Sequence, residues 1–465
     1  MDSSLEKTMN TAWHKSKWIV KGCIIGFLAL LMLIPMLYVK NLIFEREERQ
    51  QQAAREISSK WAGRQNIVGP VVGIPFWDIA SDDTLKKYPK KRIAYFLPDV
   101  LDINATVNPK EKHRGIFKVM LYDTKVTIKG SFNNLPLAKL NISADKFIWS
   151  EAFVTMNIAD SKGLNEQLSL KWKDTLIELS PQQGQDDGMT ALLKATSAED
   201  FVNANFSTTI DLNGSEQLMF TPVGKSTTVK VNSSWKDPSF SGSMLPQTTD
   251  VSDSGFTATW KSMSHKRSFP QQWIDNAYKL DIYFPVVPTE NTIRIDEAVA
   301  VIQDKTVSPT LIGAASFGVD LYIPVNGYQK TLRTIKYALL CILLTFAAFF
   351  LIETTNKKSV HPFQYGLIGL ALILFYTLLL SISEYTSFNA AYLIASAATI
   401  GLIGWFVSSL LQSGRATTIL SMVLVLIYSY VFSLLQLQDY SLLLGSIGLF
   451  LTLAVVMKFS KKMQW

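Results

Sequence analysis

The chain has 465 residues, 48% of them hydrophobic and 18% charged, with a formal net charge of +7 and a mean hydropathy of +0.17. A uniformly globular chain carries more charge than this, so a polar part and a very apolar part are joined in one polypeptide. The positive balance does not point to nucleic acid, because no dense Lys/Arg tract supports that reading and much of the excess flanks apolar runs.

Residues 1–21 read as a cytoplasmic N-terminus, with Lys15, Lys17 and Lys21 just ahead of an uncharged run over 22–39. That run is about as long as the hydrocarbon core requires. A cleaved signal peptide is the competing reading, but the run is long for one and no A-x-A-like site follows it. An uncleaved anchor is expected, leading directly into a polar stretch of helical composition up to about residue 64.

The next part, to residue 331, changes character. Short alternating segments near 93–97, 116–122, 125–128, 147–157, 168–172, 227–231 and 256–260 are rich in Thr, Val, Phe and Trp and bounded by turn residues. They predict strands in an antiparallel, sandwich-like or barrel-like domain spanning 40–331 with its helical start. The best helical candidate inside it is 190–204. Both cysteines, Cys23 and Cys341, fall in apolar runs. The polar domain therefore has no disulfide available and must rest on its own core.

From residue 332 the apolar segments predict membrane helices at about 332–352, 364–382, 390–411, 417–435 and 440–457, then a cytoplasmic tail over 458–465. The fold class is thus membrane α + β, with six spans in total. Loop 353–363 carries Lys357 and Lys358, loop 412–416 carries Arg415, and the tail carries Lys458, Lys461 and Lys462; loops 383–389 and 436–439 carry no Lys or Arg. Basic loops stay on the cytoplasmic side, which puts both termini inside and the β-rich domain in the periplasm.

Recognisable chemistry is sparse. The histidines are His14, His113, His265 and His361, and none has metal-ligand spacing; there is no G-x-S-x-G elbow, P-loop or dinucleotide glycine pattern. No cofactor, metal or catalytic residue is expected, and Asp186 and Asp187 read as a solvated loop. In the apolar part Glu353, Glu384 and Asp439 fall at span ends, where interfacial solvation is the expected state and ion-coupled transport is disfavoured. Ala391, Ala395, Ala397 and Gly401 are spaced to let helix 390–411 approach a neighbour. The most distinctive polar stretch is 237–246 followed by 251–260. It reads as a strand–turn–strand corner fixed by Pro and Gly, with a recognition loop as the alternative. Phe240 and Trp260, together with Glu353 and Glu384, are the candidate interaction residues.

Several stretches, in this order, resemble the CreD inner-membrane protein family: 33–47 (LIPMLYVKNLIFERE), 67–76 (IVGPVVGIPF), 237–246 with SDSGFTATW, 337–353, and 361–396, which opens HPFQYGL. The resemblance implies a cell-envelope integrity protein of Gram-negative bacteria, expressed under a two-component system and linked to colicin and β-lactam tolerance. It implies no catalytic residues. The expected partners are the lipid bilayer and, on the periplasmic side, envelope proteins or cell-wall components, without nucleic acid. The leading expectation is a non-enzymatic envelope-integrity protein acting through its periplasmic β-domain. Transport or lipid and cell-wall precursor handling is the alternative, and an envelope enzyme with an unrecognised site the second.

Overall fold

The computed structural model describes residues 20–81, 87–181, 188–280, 310–321, 327–356 and 360–437, with 443, 445–448, 450, 454 and 457. The chain separates into a β unit, Gln52–Pro324, and a helical unit formed by Met1–Gln51 and Val325–Trp465.

Two large sheets build the β unit. The nine-stranded sheet runs Ser239–Gly242, Phe317–Asp320, Gln217–Phe220, Gln65–Ser81, Phe153–Ile158, Met189–Leu192 and Ser180–Pro181, with Lys87–Phe96 and Gln272–Ile274 branching from the long strand. The eight-stranded sheet runs Thr248–Ser252, Gly255–Met263, Ser226–Ser233, Val100–Arg114, Phe117–Phe132, Ala204–Ser215, Ser169–Trp172 and Thr175–Glu178. Along Val100–Arg114 the side chains of Leu101, Ile103, Ala105 and Val107 are buried while Asp102, Asn104, Thr106 and Asn108 face solvent. This is the period of two that a half-buried strand imposes. Those apolar residues share one core with Val71, Phe76 and Phe220 of the other sheet. Burying each of the larger ones, such as Leu101, Ile103 and Phe220, is worth about 1.5–3 kcal/mol. Gln65–Ser81 instead is buried at every residue from Gln65 to Phe76. Gly69 in its GP dipeptide has φ +117°, beside a bulge against Phe153–Ile158. A Cβ there would come within 3.0 Å of the Thr155 carbonyl oxygen, which explains why this strand needs glycine.

Two expectations are corrected. The sheets are mixed rather than antiparallel, since Gln65–Ser81 pairs in parallel with Gln217–Phe220 and Val100–Arg114 with Ser226–Ser233. Side-chain alternation is the same in both pairings, so the sequence pattern does not distinguish them. Nor is 190–204 a helix. Met189–Leu192 is a strand on Phe153–Ile158, followed by one 3-10 turn at Ala198–Phe201 with a Ser197–Asp200 capping box. Backbone pairing with Phe153–Ile158 on one side and Ser180–Pro181 on the other outweighs the helical propensity of the Ala and Leu residues. The Asp200 carboxylate accepts from the Thr196 and Ser197 amides, and these bonds hold its pKa below the ordinary value. Asp186 and Asp187 lie outside the described residues.

Asp320 is a fully buried carboxyl at the end of Phe317–Asp320. Burial pushes its pKa up, and neither carboxylate oxygen has a hydrogen-bond partner among the described residues. The folded chain therefore holds this proton more tightly than the unfolded chain. The stabilisation is full below the ordinary aspartate pKa of about 3.9 and is lost as pH rises through the higher folded value. Asp320→Asn is expected to raise stability near neutral pH by on the order of 1 kcal/mol while changing little in acid. Thermal unfolding of the full chain at both pH values tests this; an equal gain at both would count against it.

Among the described residues, five helices are long and apolar enough to cross a membrane. They are α1 (Val20–Trp61), α3 (Ala338–Thr355), α4 (Pro362–Ser383), α5 (Phe388–Leu411) and α6 (Gly414–Gln436). The shorter α2 (Gly327–Lys336) precedes α3, with a turn at Tyr337. The expected span 332–352 is thus two helices in the structure. The expected span 440–457 lies mostly outside the described residues, as do Asp439 and the tail. Helix starts follow the sequence closely. In the HPFQ motif His361 is the N-cap, its Nδ1 accepting from the Phe363 amide; Pro362 occupies the first turn and Gln364 closes a capping box. Ser387 and Ser413 cap α5 and α6. On α5, Ala391 and Ala395 are fully buried, whereas Gly401 meets nothing within 4 Å and Ala397 is exposed. A step of two residues, from 395 to 397, turns the helix by about 200°, so one small-residue pair packs inward and the other faces out.

Candidate functional site

Helix α1 buries Ile25, Ala29, Met32, Met36, Val39, Ile43 and Glu47. Steps of three or four residues place all seven on one stripe of the helix. Each end of the stripe carries a charged cluster.

At the first end Lys21 pairs with Glu353 of α3, a carboxylate with no exposed surface. Glu353 also accepts from the Tyr365 hydroxyl of α4 at 2.7 Å and from the Val360 amide at 2.7 Å. Lys21 donates to the Val360 carbonyl at 2.7 Å. Phe349 and Phe346 wall the site, with ring centroids 4.8 Å and 5.7 Å from Tyr365. The expectation of a solvated Glu353 is therefore corrected. It does sit at a helix end, but aromatic rings exclude water there. A cation, a phenol and an amide take the place of hydration, as a buried charge requires.

At the other end Glu384, the C-cap of α4, accepts from the Tyr328 hydroxyl at 3.1 Å and lies 3.8 Å from the Arg46 guanidinium. Its side chain is only 10% exposed, so it too is largely withdrawn from solvent. Beside it Glu47 is hydrogen-bonded to Gln329, and the Lys330 ammonium lies 5.6 Å from the Phe388 ring centroid. Burial, followed by the Glu384 charge, raises the Tyr328 pKa, which keeps the phenol protonated as a donor. From Lys21 to Arg46 along α1 is about 38 Å at 1.5 Å per residue. The hydrocarbon core is ~30 Å and the whole bilayer with headgroups ~40–45 Å, so this spacing fits one cluster in each interfacial layer.

Between the clusters the helical interior is polar in places. Thr345, Cys341, Ser396 and Thr399 are buried, and the Tyr392 hydroxyl donates to the Tyr428 carbonyl at 2.8 Å. Among the described residues no group of three or more His, Cys, Asp or Glu side chains is placed to hold a metal ion.

The other two candidate residues stand together in the β unit. Trp260 is fully buried, stacked on Phe317 at 5.7 Å and edge-on to Phe240 at 5.6 Å. Its Nε1 donates to the Met244 carbonyl at 3.3 Å. Phe240 is partly buried and packs on Phe256 as well. The 237–260 stretch is thus a strand–turn–strand corner, with Trp260 as its interior. Sequence reasoning missed Lys21, Tyr365, Arg46 and Tyr328. Lys21 is the third of three lysines before an apolar run and reads as an orientation charge. No local signal marks the tyrosines, and only the fold brings them to the carboxylates.

The chain is 28% identical over 441 residues to Inner membrane protein CreD of Escherichia coli (strain K12), covering 94% of this chain and 91% of that relative. A family profile described as Inner membrane protein CreD matches residues 17–465. The match takes in both units, and the helical unit supplies the apolar helices of a multi-pass membrane protein. By this match over nearly its whole length, the chain belongs to the CreD family of inner membrane proteins.

Proposed function

We propose that this protein supports cell-envelope integrity and antimicrobial tolerance without catalysis, by presenting its β unit in the periplasm to other envelope components while both termini stay in the cytoplasm. The observation that carries the reading is the closed β-sandwich. Its interior is filled by Phe76, Phe96, Phe132, Phe206, Phe220 and Trp260, all buried. What it offers other molecules is therefore surface. Orientation follows from Arg415 in one loop and the absence of Lys and Arg from 383–389. A deletion strain challenged with a β-lactam and with detergent is expected to lose viability, and the full chain to restore it. An unaltered response in the deletion strain would remove the main support.

Transport or lipid handling is a second reading, favoured by the burial of Glu353 beside Lys21 and Tyr365. Ionisable groups withdrawn inside membrane helices commonly mark a pathway. Proteoliposomes carrying a fluorescent phospholipid would show faster transbilayer movement with the wild-type chain than with Glu353→Gln; equal rates would set this reading aside.

A further inference from the structure

The strand Thr248–Ser252 ends the eight-stranded sheet, and all five of its residues are exposed. Its inner side pairs with Gly255–Met263 from Thr248↔Thr259 to Ser252↔Gly255. Among the described residues nothing pairs with its outer side. An edge of this kind presents a row of backbone donors and acceptors that recognises another extended chain.

Three other end strands are guarded, and the branch strand Gln272–Ile274 is only three residues long. Ser180–Pro181 carries a proline, Thr175–Glu178 is four residues long and ends in a charge, and Ser239–Gly242 is equally short, closing on Gly242 with φ +100°. Thr248–Ser252 has neither proline nor lysine, the usual blocking devices. It carries the exposed apolar side chain of Val251, at 51%, and Leu245, at 70%, precedes it.

Register determines what fits. Thr249 and Val251 lie opposite Ala258 and Phe256, whose side chains enter the core. They therefore mark the core-side face, and Thr248, Asp250 and Ser252 mark the solvent face. A second copy of this strand is a poor occupant. The antiparallel register that pairs all five residues sets Asp250 directly opposite its own twin, and like charges so placed repel.

We propose that Thr248–Ser252 is a strand-addition site for an extended polypeptide segment of another protein, with an apolar or β-branched residue beside Val251 and a lysine or arginine facing Asp250. This rests on the reading of the β unit as an interaction module, and it names the surface and the chemistry of the partner.

The test uses the full chain in detergent and two fluorescein-labelled peptides that alternate valine with threonine. One carries a central lysine and the other a central glutamate. Saturable binding of the lysine peptide is expected, several-fold tighter than the glutamate peptide. Asp250→Lys should invert that preference, and Val251→Lys should abolish binding of both. Each substitution is at an exposed residue, so thermal unfolding should match the wild type. Absence of binding, or binding indifferent to both substitutions, would overturn the proposal. A concentration-dependent dimer lost in Val251→Lys would overturn it too, by assigning the edge to a second copy. The deletion phenotype is read separately, so failure of this site leaves the broader function standing.

Discussion

Lys21→Met is expected to destabilise the helical unit by about 3–5 kcal/mol, because it leaves a buried carboxylate without its cation. Glu353 has no exposed surface, and its other partners are the Tyr365 hydroxyl and the Val360 amide. Two neutral donors do not replace a charge in a site walled by Phe346 and Phe349. The reverse change, Glu353→Leu, is expected to cost less. The Lys21 side chain keeps 15% exposure, and its long stem lets the ammonium reach water. The double variant Lys21→Met, Glu353→Leu should recover most of the loss, since an apolar pair replaces a buried ion pair at little cost. Thermal unfolding of the four proteins in one detergent measures the coupling. If Lys21→Met shifts stability no more than an ordinary surface substitution, the pair is not the latch between α1, α3 and α4 that the geometry describes.

The helical starts and the strands of the β unit were legible because both depend on local signals. The HPFQ motif specifies an N-cap, a first-turn proline and a capping box within four consecutive residues. The alternation in 100–108 specifies one buried face. Parallel pairing was not legible, since it depends on where the chain returns after a long excursion. Nor were the charged clusters. Glu353 was visible as a carboxylate at a span end, but its burial depends on Lys21 arriving from the far end of the sequence. Local charge also misleads in the opposite direction. The densest basic stretch, Lys86 to Arg92, escapes notice when charge is weighed by its distance from apolar runs. Within it Lys91 pairs with Glu151, and Arg92 is held between Asp78 and Asp275 at 2.9 and 2.7 Å. Those contacts, with Arg92 as the first cause, keep the Asp78 pKa below its usual value, so Lys91 and Arg92 are paired at the surface of the β unit.

Trp260 and Phe240 separate a packing role from a binding role. Trp260→Ala is expected to cost about 3–5 kcal/mol, the range for truncating a buried aromatic side chain. It removes the stack on Phe317, the edge contact with Phe240 and the hydrogen bond to the Met244 carbonyl. Those contacts join Gly255–Met263 of one sheet to Phe317–Asp320 and Ser239–Gly242 of the other, so both sheets lose their closure on the same side. Phe240→Ala should cost less, because the ring is already partly exposed and belongs to a short edge strand. Urea unfolding of the full chain, followed by circular dichroism at a β-sheet wavelength, gives the two midpoints. A Trp260→Ala chain that unfolds at the wild-type urea concentration would contradict the packing assignment and return Trp260 to the binding surface. If the midpoint falls as expected, any loss of partner binding in that variant follows from a disordered corner. The exposed residues Asp250 and Val251 then become the positions at which recognition can be tested without disturbing the fold.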